Sequence, residues 1–128
     1  MKLAELYYQR QDFANAQTQF ELIAQQTPNN SLGEKALFFA AESAMSSMGE
    51  HSLDRAIVLF DQVVRQNGPL RWAARNEQAV IERKLGKPKD ALALYDEVLK
   101  SDAGLPEKHE AMCGKGDIFF EMGTTDAS

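Results

Sequence analysis

Two side chains near the C-terminus have the types and spacing of metal ligands. His109 and Cys113 lie four residues apart, so they share one face of a helix, and imidazole and thiolate both bind zinc. Cys113 is the only cysteine, and the other histidine, His51, is distant in sequence. Glu110 and Asp117 could add ligands, but the pattern does not enforce a complete set. The favoured interpretation is a partly buried thiol beside a surface imidazole, with no metal and no cofactor.

Other patterns that carry chemistry in proteins are incomplete in this sequence. A Cys–His nucleophile pair in the middle of a helix lacks an orienting third group and a site for an oxyanion. Gly114-Lys115-Gly116 lies in a helical pattern without a preceding strand, so it does not match a phosphate-binding loop. Asp96 and Glu97 are adjacent and point to different sides of a helix, which argues against an acid–base pair. We therefore expect no catalytic activity.

Composition and charge narrow the class of partner. Of the 128 residues, 44% are hydrophobic and 26% are charged, which is typical of a soluble globular domain. The net charge of −5 provides no positive field for nucleic acid. No apolar run has the length of a membrane span, and the N-terminus lacks the apolar centre of a secretory signal. Cytoplasmic and bacterial periplasmic locations both remain open.

Turn signals divide the chain into seven helical segments. Apolar residues recur at helical spacing, and no segment alternates with the period of a strand. Ser31 and Glu34 have the spacing of a capping box, and Ser52 is a plausible N-cap. Gly49 and Gly86 fit the left-handed residue that closes a helix. The predicted helices cover about 3–11, 13–26, 31–48, 52–67, 70–85, 88–100 and 106–122.

One short pattern occurs three times, in the second, fourth and sixth segments. Each time an alanine is followed four residues later by an aromatic residue. An alanine that faces a small residue lets two helices approach closely, and the aromatic ring fills the groove between neighbours. Small residues recur in the other segments at intervals of 37 or 38 residues. The pairs are Ala16–Phe20, Ala56–Phe60 and Ala91–Tyr95, and the small residues are Ala4, Ala41, Ala79 and Gly116.

This arrangement resembles the tetratricopeptide repeat, a helix–turn–helix unit whose closing proline is matched best in the first unit, at Pro28-Asn29-Asn30. The resemblance implies an all-α fold of antiparallel helix hairpins, stacked in a right-handed α-solenoid of about three and a half repeats. It predicts one repeat domain, cut from a longer array, with units at about 1–30, 31–69 and 70–104 and a half unit at 105–123.

The resemblance also implies a function as a non-catalytic scaffold for protein–protein interaction. In this family the first helix of each unit lines a concave face that binds peptides or helices. Acidic residues stand where members that grip a chaperone carboxylate carry basic ones, so we expect a partner with basic and apolar side chains instead. The predicted partner-binding residues are Glu5, Tyr8, Phe38, Glu42, Met45, Asn76, Val80, Arg83, Asp117 and Phe120, with Cys113 at a comparable position.

A polar column on the fifth helix departs from the family pattern. The favoured interpretation is a rotated helix, in which apolar residues pack and the column is solvated. In the alternative the column lines the groove, where Arg75 and Arg83 could each hold a carboxylate in bidentate fashion. The column is Arg71, Arg75, Gln78 and Glu82, and the apolar residues are Ala74, Ile81 and Leu85.

Two other functions fit the same sequence. Exposed end helices could drive self-association, which would make the chain a structural repeat domain or homo-oligomer. The chain could also be an appendage of a larger enzyme or of a cell-envelope assembly factor. Residues 36–43 resemble stretches of bacterial periplasmic repeat proteins that organise the envelope.

Overall fold

Seven helices make up the computed structural model, which describes residues 2–27, 30–47 and 51–126, with side chains up to residue 122. Within these ranges no strand occurs, so the predicted all-α class is confirmed. Predictions at Pro28, Asn29, Met48, Gly49 and Glu50 lie outside the described residues. The helices are α1 (Lys2–Gln9), α2 (Phe13–Gln26), α3 (Ser31–Ser46), α4 (Ser52–Arg65), α5 (Arg71–Lys84), α6 (Pro88–Leu99) and α7 (Leu105–Asp126).

Four of the turns between helices contain a residue with the left-handed backbone conformation. Gly86 has a φ of +79°, which confirms the predicted closing glycine after α5. Gln11, His51 and Asn67 adopt the same region with φ of 57° to 65°, although a Cβ atom makes this conformation costly. These three positions were not predicted, because turn chemistry most often places glycine in this conformation.

Both predicted N-caps are corrected by the structure. Asn30 caps α3, and its Oδ1 accepts a hydrogen bond of 2.8 Å from the Gly33 amide. Ser52 is the first residue of α4 rather than its cap, and its hydroxyl donates to the Ser47 carbonyl. Asn is as good a cap as Ser, so the residue one place earlier replaced Ser31 in that role.

Glu34, the other member of the predicted capping box, has a different partner. Its side chain is buried, and Oε2 accepts a hydrogen bond of 3.3 Å from the Leu70 amide, just before α5. The carboxylate lies so close to Gly68 that a Cβ atom there would be 2.0 Å from Oε2. Glu34 therefore joins the start of α3 to the loop that precedes α5.

Two compact units divide the chain, residues 1–74 and 75–128, and the boundary falls within α5. In residues 1–74, α2 packs against both α1 and α3, and α3 packs against α4. In residues 75–128, α6 packs against α7. The alanine–aromatic pairs lie in the core of each unit, and the aromatic side chains Phe20, Phe60 and Tyr95 are at most 2% exposed.

The last helix continues past its predicted end. The predicted end was Met122-Gly123, whereas α7 reaches Asp126. Ile118 is buried, but Phe119 and Phe120 are 55% and 74% exposed. One face of α7 therefore packs on the rest of its unit, and another leaves large apolar side chains in solvent.

Candidate functional site

The predicted partner-binding residues are exposed or partly exposed, except for one that is buried. Glu5, Asp117 and Phe120 are exposed, and Cys113 is exposed beside them in α7. Asn76 is fully buried, so it offers no surface for direct contact and is withdrawn from the predicted set. The partly exposed members are Tyr8, Phe38, Glu42, Met45, Val80 and Arg83.

Aromatic packing holds two predicted partner-binding residues, Tyr8 and Phe38, within residues 1–74. The Tyr8 ring meets Phe13 edge to face, with centroids 5.4 Å apart. Phe38 packs in the same way against Phe60, also at 5.4 Å. Since Phe60 is completely buried, Phe38 is anchored to the core while part of its ring stays accessible. Such rings are rigid contact surfaces that lose little conformational entropy on binding.

Arg83 already holds a carboxylate within the chain. Its Nε donates to Glu121 Oε2 at 3.1 Å, and its Nη2 donates to Oε1, which is the bidentate geometry predicted for a ligand. This hydrogen bonding raises the pKa of Arg83 and lowers the pKa of Glu121. Glu121 was missed, although it lies about one repeat length beyond Arg83 and one turn beyond Asp117.

Gln78 and Arg75 of the polar column of α5 are not simply solvated, so that part of the interpretation was wrong, whereas the predicted rotation that buries Ala74 and Ile81 is confirmed. Gln78 is only 3% exposed, and its Oε1 accepts a hydrogen bond of 2.7 Å from Arg75 Nη1. Arg75 Nε also donates to Glu97 Oε1 of α6 at 3.2 Å. Ala74 and Ile81 are buried as expected, while Leu85 is 38% exposed. Arg75 and Gln78 therefore contribute polar contacts within the fold, because they bond to one another and Arg75 also bonds to α6.

Asn76 links α5 to α7 from a buried position. Its Nδ2 donates a hydrogen bond of 3.0 Å to the Glu107 carbonyl, whereas its Oδ1 has no hydrogen-bond partner among the described residues. Asn76 was predicted to contact a partner. Its side-chain amide instead donates to a carbonyl in the first turn of α7. Tertiary neighbours, which periodicity does not show, give Asn76 this structural role.

Several carboxylates lie close together where α5 meets α7. Burial raises the pKa of Glu110, and the negative charges of Glu77 and Glu107 raise it further. A hydrogen bond with Asn76 acts in the opposite direction. Asp117 follows on the same side of α7 and is exposed. This surface therefore groups several carboxylates, and, in addition to Glu121, Asp117 is close enough to Arg83 to raise the pKa of that guanidinium.

Glu110→Gln should stabilise the fold at neutral pH. Because the pKa of Glu110 is higher in the folded chain, the folded state loses stability as pH rises from the ordinary value of 4.5 through the raised value. The variant should unfold at a higher temperature than the parent chain at pH 7 and at the same temperature near pH 4. Glu5→Gln on α1 controls for the charge change, and an equal gain in both variants at pH 7 would contradict the prediction.

The predicted metal-ligand pair forms a contact in α7. Cys113 Sγ and His109 Nε2 lie 3.6 Å apart, and both side chains are exposed, which corrects the expected partial burial of the thiol. In the part of the chain that the structure describes, no three His, Cys, Asp or Glu side chains are grouped to hold a metal ion. Over the same residues, no helix combines the length and apolarity needed to cross a membrane.

Comparison with known proteins agrees with the helical repeats. The family profile described as Tetratricopeptide repeat matches residues 44–106 and again residues 76–128. No curated protein and no solved structure shows significant similarity to the chain. Proteins of this family are generally scaffolds for protein–protein interaction rather than catalysts. The two matches together span more than half of the 128 residues, and the chain therefore belongs to the tetratricopeptide repeat family.

Proposed function

We propose that the exposed first-helix surface of residues 75–128 binds a peptide segment of a partner protein, and that this segment carries basic and apolar side chains. The observation that carries the proposal is the composition of this surface. Phe120, 74% exposed, lies one turn from Asp117, and Glu110 lies two turns before Asp117 on the same helix. An apolar side chain can pack on the ring while a lysine or arginine pairs with the carboxylates.

Electrostatics supports the choice of a basic ligand. The pKa of Glu110 is raised partly because Glu77 and Glu107 repel its negative charge. A cation placed among these groups would relieve that repulsion and gain charge-assisted hydrogen bonds. The Arg83–Glu121 ion pair lies along the same two helices and leaves the guanidinium already occupied. Recognition of an acidic ligand by Arg83 is correspondingly disfavoured.

The packing of the unit supports a pre-organised surface. Ala91 and Tyr95 of α6 and Ile118 of α7 are at most 2% exposed, so the helices that carry the binding residues are held by the core. A surface fixed in this way loses little freedom on binding, which leaves more of the contact energy for affinity. Within residues 1–74, the corresponding surface lies on α1 and α3 and comprises Glu5, Tyr8, Phe38, Glu42 and Met45.

A defined peptide pair tests this proposal. We expect a labelled peptide that alternates Lys or Arg with Leu or Phe to bind the chain in fluorescence anisotropy, and its Glu-substituted counterpart to bind at least about tenfold more weakly. Asp117→Lys and Phe120→Ala should each weaken binding of the basic peptide by about tenfold, since each removes a contact at the centre of the surface. Asp90→Lys makes the same charge change on α6 and should leave binding unchanged.

The result that would overturn the proposal is equally defined. If both peptides bind alike, or if Asp90→Lys weakens binding as much as Asp117→Lys, the surface is not the binding site and only overall charge matters. Affinity should also fall as pH drops from 7 to 4, because protonation of Glu110, whose pKa is raised, removes part of the attraction. Affinity that does not change with pH would contradict the role of Glu110.

A further inference from the structure

The turn that follows α4 contains an exposed asparagine with a glycine directly after it. Asn67 lies just beyond Arg65, the last residue of α4, and Gly68 follows in the same turn. In such a pair the backbone nitrogen of the glycine can attack the side-chain amide carbon of the asparagine, because glycine has no Cβ atom to hinder the approach. The pair can therefore undergo a covalent change of the main chain without an enzyme.

The Gly68 nitrogen is available for this attack. Among the residues that the structure describes, the Gly68 N–H donates no hydrogen bond, and the Asn67 side chain makes none. Asn15 is also exposed, but the next amide, that of Ala16, donates a hydrogen bond of 3.0 Å to the Asp12 carbonyl. The Asn15 side chain itself donates to Asp12 Oδ2 at 2.8 Å. Because these bonds must break before Asn15 can react, the fold protects Asn15 and leaves Asn67 reactive.

The fold itself favours both residue types of the reactive pair. Asn67 has a φ of 57°, in the left-handed region that asparagine adopts more readily than most residues. A Cβ atom at position 68 would overlap the carboxylate of Glu34, so this position has no room for a side chain. Asn67 thus meets a backbone requirement and Gly68 a packing requirement, and side by side they form the reactive sequence.

We propose that Asn67 is a site of spontaneous deamidation, which converts the main chain of this turn into an isoaspartyl linkage. The Gly68 nitrogen bonds to Asn67 Cγ and loses its proton, the Cγ–Nδ2 bond breaks, and ammonia leaves. Water then opens the cyclic imide. Attack of water at Cγ gives aspartate, whereas attack at the main-chain carbonyl carbon breaks the original peptide bond and leaves the chain connected through Cγ. The second product has one additional carbon atom in its backbone.

The longer backbone affects the link between α3 and the loop before α5. Leu70, three residues after Asn67, donates its amide to the buried carboxylate of Glu34 at 3.3 Å, and Gly68 packs against the same carboxylate. An added carbon at residue 67 shifts this loop relative to Glu34, and a buried carboxylate that loses a donor is destabilising. All these residues belong to the compact unit of residues 1–74. The reaction thus weakens this unit and is independent of the peptide-binding surface proposed above.

Mass spectrometry of the full chain, incubated at neutral pH and physiological temperature, measures the reaction. Trypsin cleaves after Arg65 and Arg71 and releases residues 66–71, in which Asn67 is the only asparagine. We expect this fragment to gain the mass difference between an amide and a carboxyl group, and Asn67 to convert at least about tenfold faster than Asn15. A synthetic peptide of the same six residues gives the rate without the fold. If the peptide converts and the folded chain does not, the proposal is wrong.

Two substitutions at one residue separate the reaction from its consequence. Asn67→Gly fits the left-handed conformation but cannot cyclise, so its mass and its unfolding temperature should stay constant during the incubation. Asn67→Asp carries the charge of the product without the added backbone carbon. By circular dichroism, the isoaspartyl form, isolated by chromatography, should unfold at a lower temperature than both the parent chain and Asn67→Asp. Equal unfolding temperatures of the isoaspartyl form and Asn67→Asp would overturn the proposed effect on the Glu34 link.

Discussion

Gly114→Ala should destabilise the protein by about 2–3 kcal/mol, because the new methyl group overlaps a buried ring. A Cβ atom at Gly114 would lie 2.3 Å from Cζ and 2.6 Å from Oη of Tyr95. Tyr95 is only 2% exposed and packs where α6 meets α7, so its ring has little room to move. The free energy of unfolding, measured by chemical denaturation, gives the size of the effect.

Gly116→Ala is the matched control, two residues along the same helix. The substitution is chemically identical, but the added Cβ meets nothing, so it should be neutral or stabilise by up to about 1 kcal/mol through helix propensity. In the Gly114→Ala background, Tyr95→Leu should restore part of the lost stability by removing the clash. Equal stability of the two alanine variants would show that Tyr95 does not limit the space at Gly114.

Gly33→Ala should destabilise the protein more than Gly114→Ala does, with a loss of about 3 kcal/mol or more in the free energy of unfolding. The obstacle is backbone rather than a flexible side chain. A Cβ at Gly33 would lie 1.9 Å from the Thr27 carbonyl oxygen, at the end of α2. Relief requires α2 and α3 to separate at a point where the two helices pack closely.

Thermal unfolding followed by circular dichroism should report this loss as a lower transition temperature. Gly104→Ala is the comparison, because the nearest atom to its Cβ is a carboxylate oxygen of Glu107 at 3.1 Å, the far end of a side chain that can rotate away. A Gly33→Ala variant as stable as Gly104→Ala would show that α3 can shift away from Thr27 without cost.

Elements that depend on local pattern were predictable from the sequence. The bounds of α2, Phe13–Gln26, were predicted to the residue because apolar spacing and a following proline agree. Gly86 was predicted correctly for the same reason, since the φ of +79° is a local requirement. The buried alanine–aromatic pairs also follow from sequence, because their spacing repeats at helical positions.

Positions whose role depends on a distant neighbour were not predictable. Glu34 fits a capping box by spacing, but Asn30 caps the helix and the carboxylate bonds an amide 36 residues away. Asn76 was placed on the binding surface by register, yet it is buried against the Glu107 carbonyl. Arg83 was expected to hold a carboxylate of a ligand, and Glu121 provides one instead. In each case the deciding contact lies about one repeat away in sequence.

The side-chain links between helices have a consequence for how such a chain can change in length. Glu34 and Leu70 are 36 residues apart, Asn76 and Glu107 are 31 apart, and Arg83 and Glu121 are 38 apart. Each link therefore spans about one repeat length in sequence, and each lies within one of the two compact units. A duplication of about one repeat length in sequence would preserve the spacing of links of this kind, because each bonded pair would keep its separation. Lengthening of such a chain by whole repeats is therefore compatible with these links.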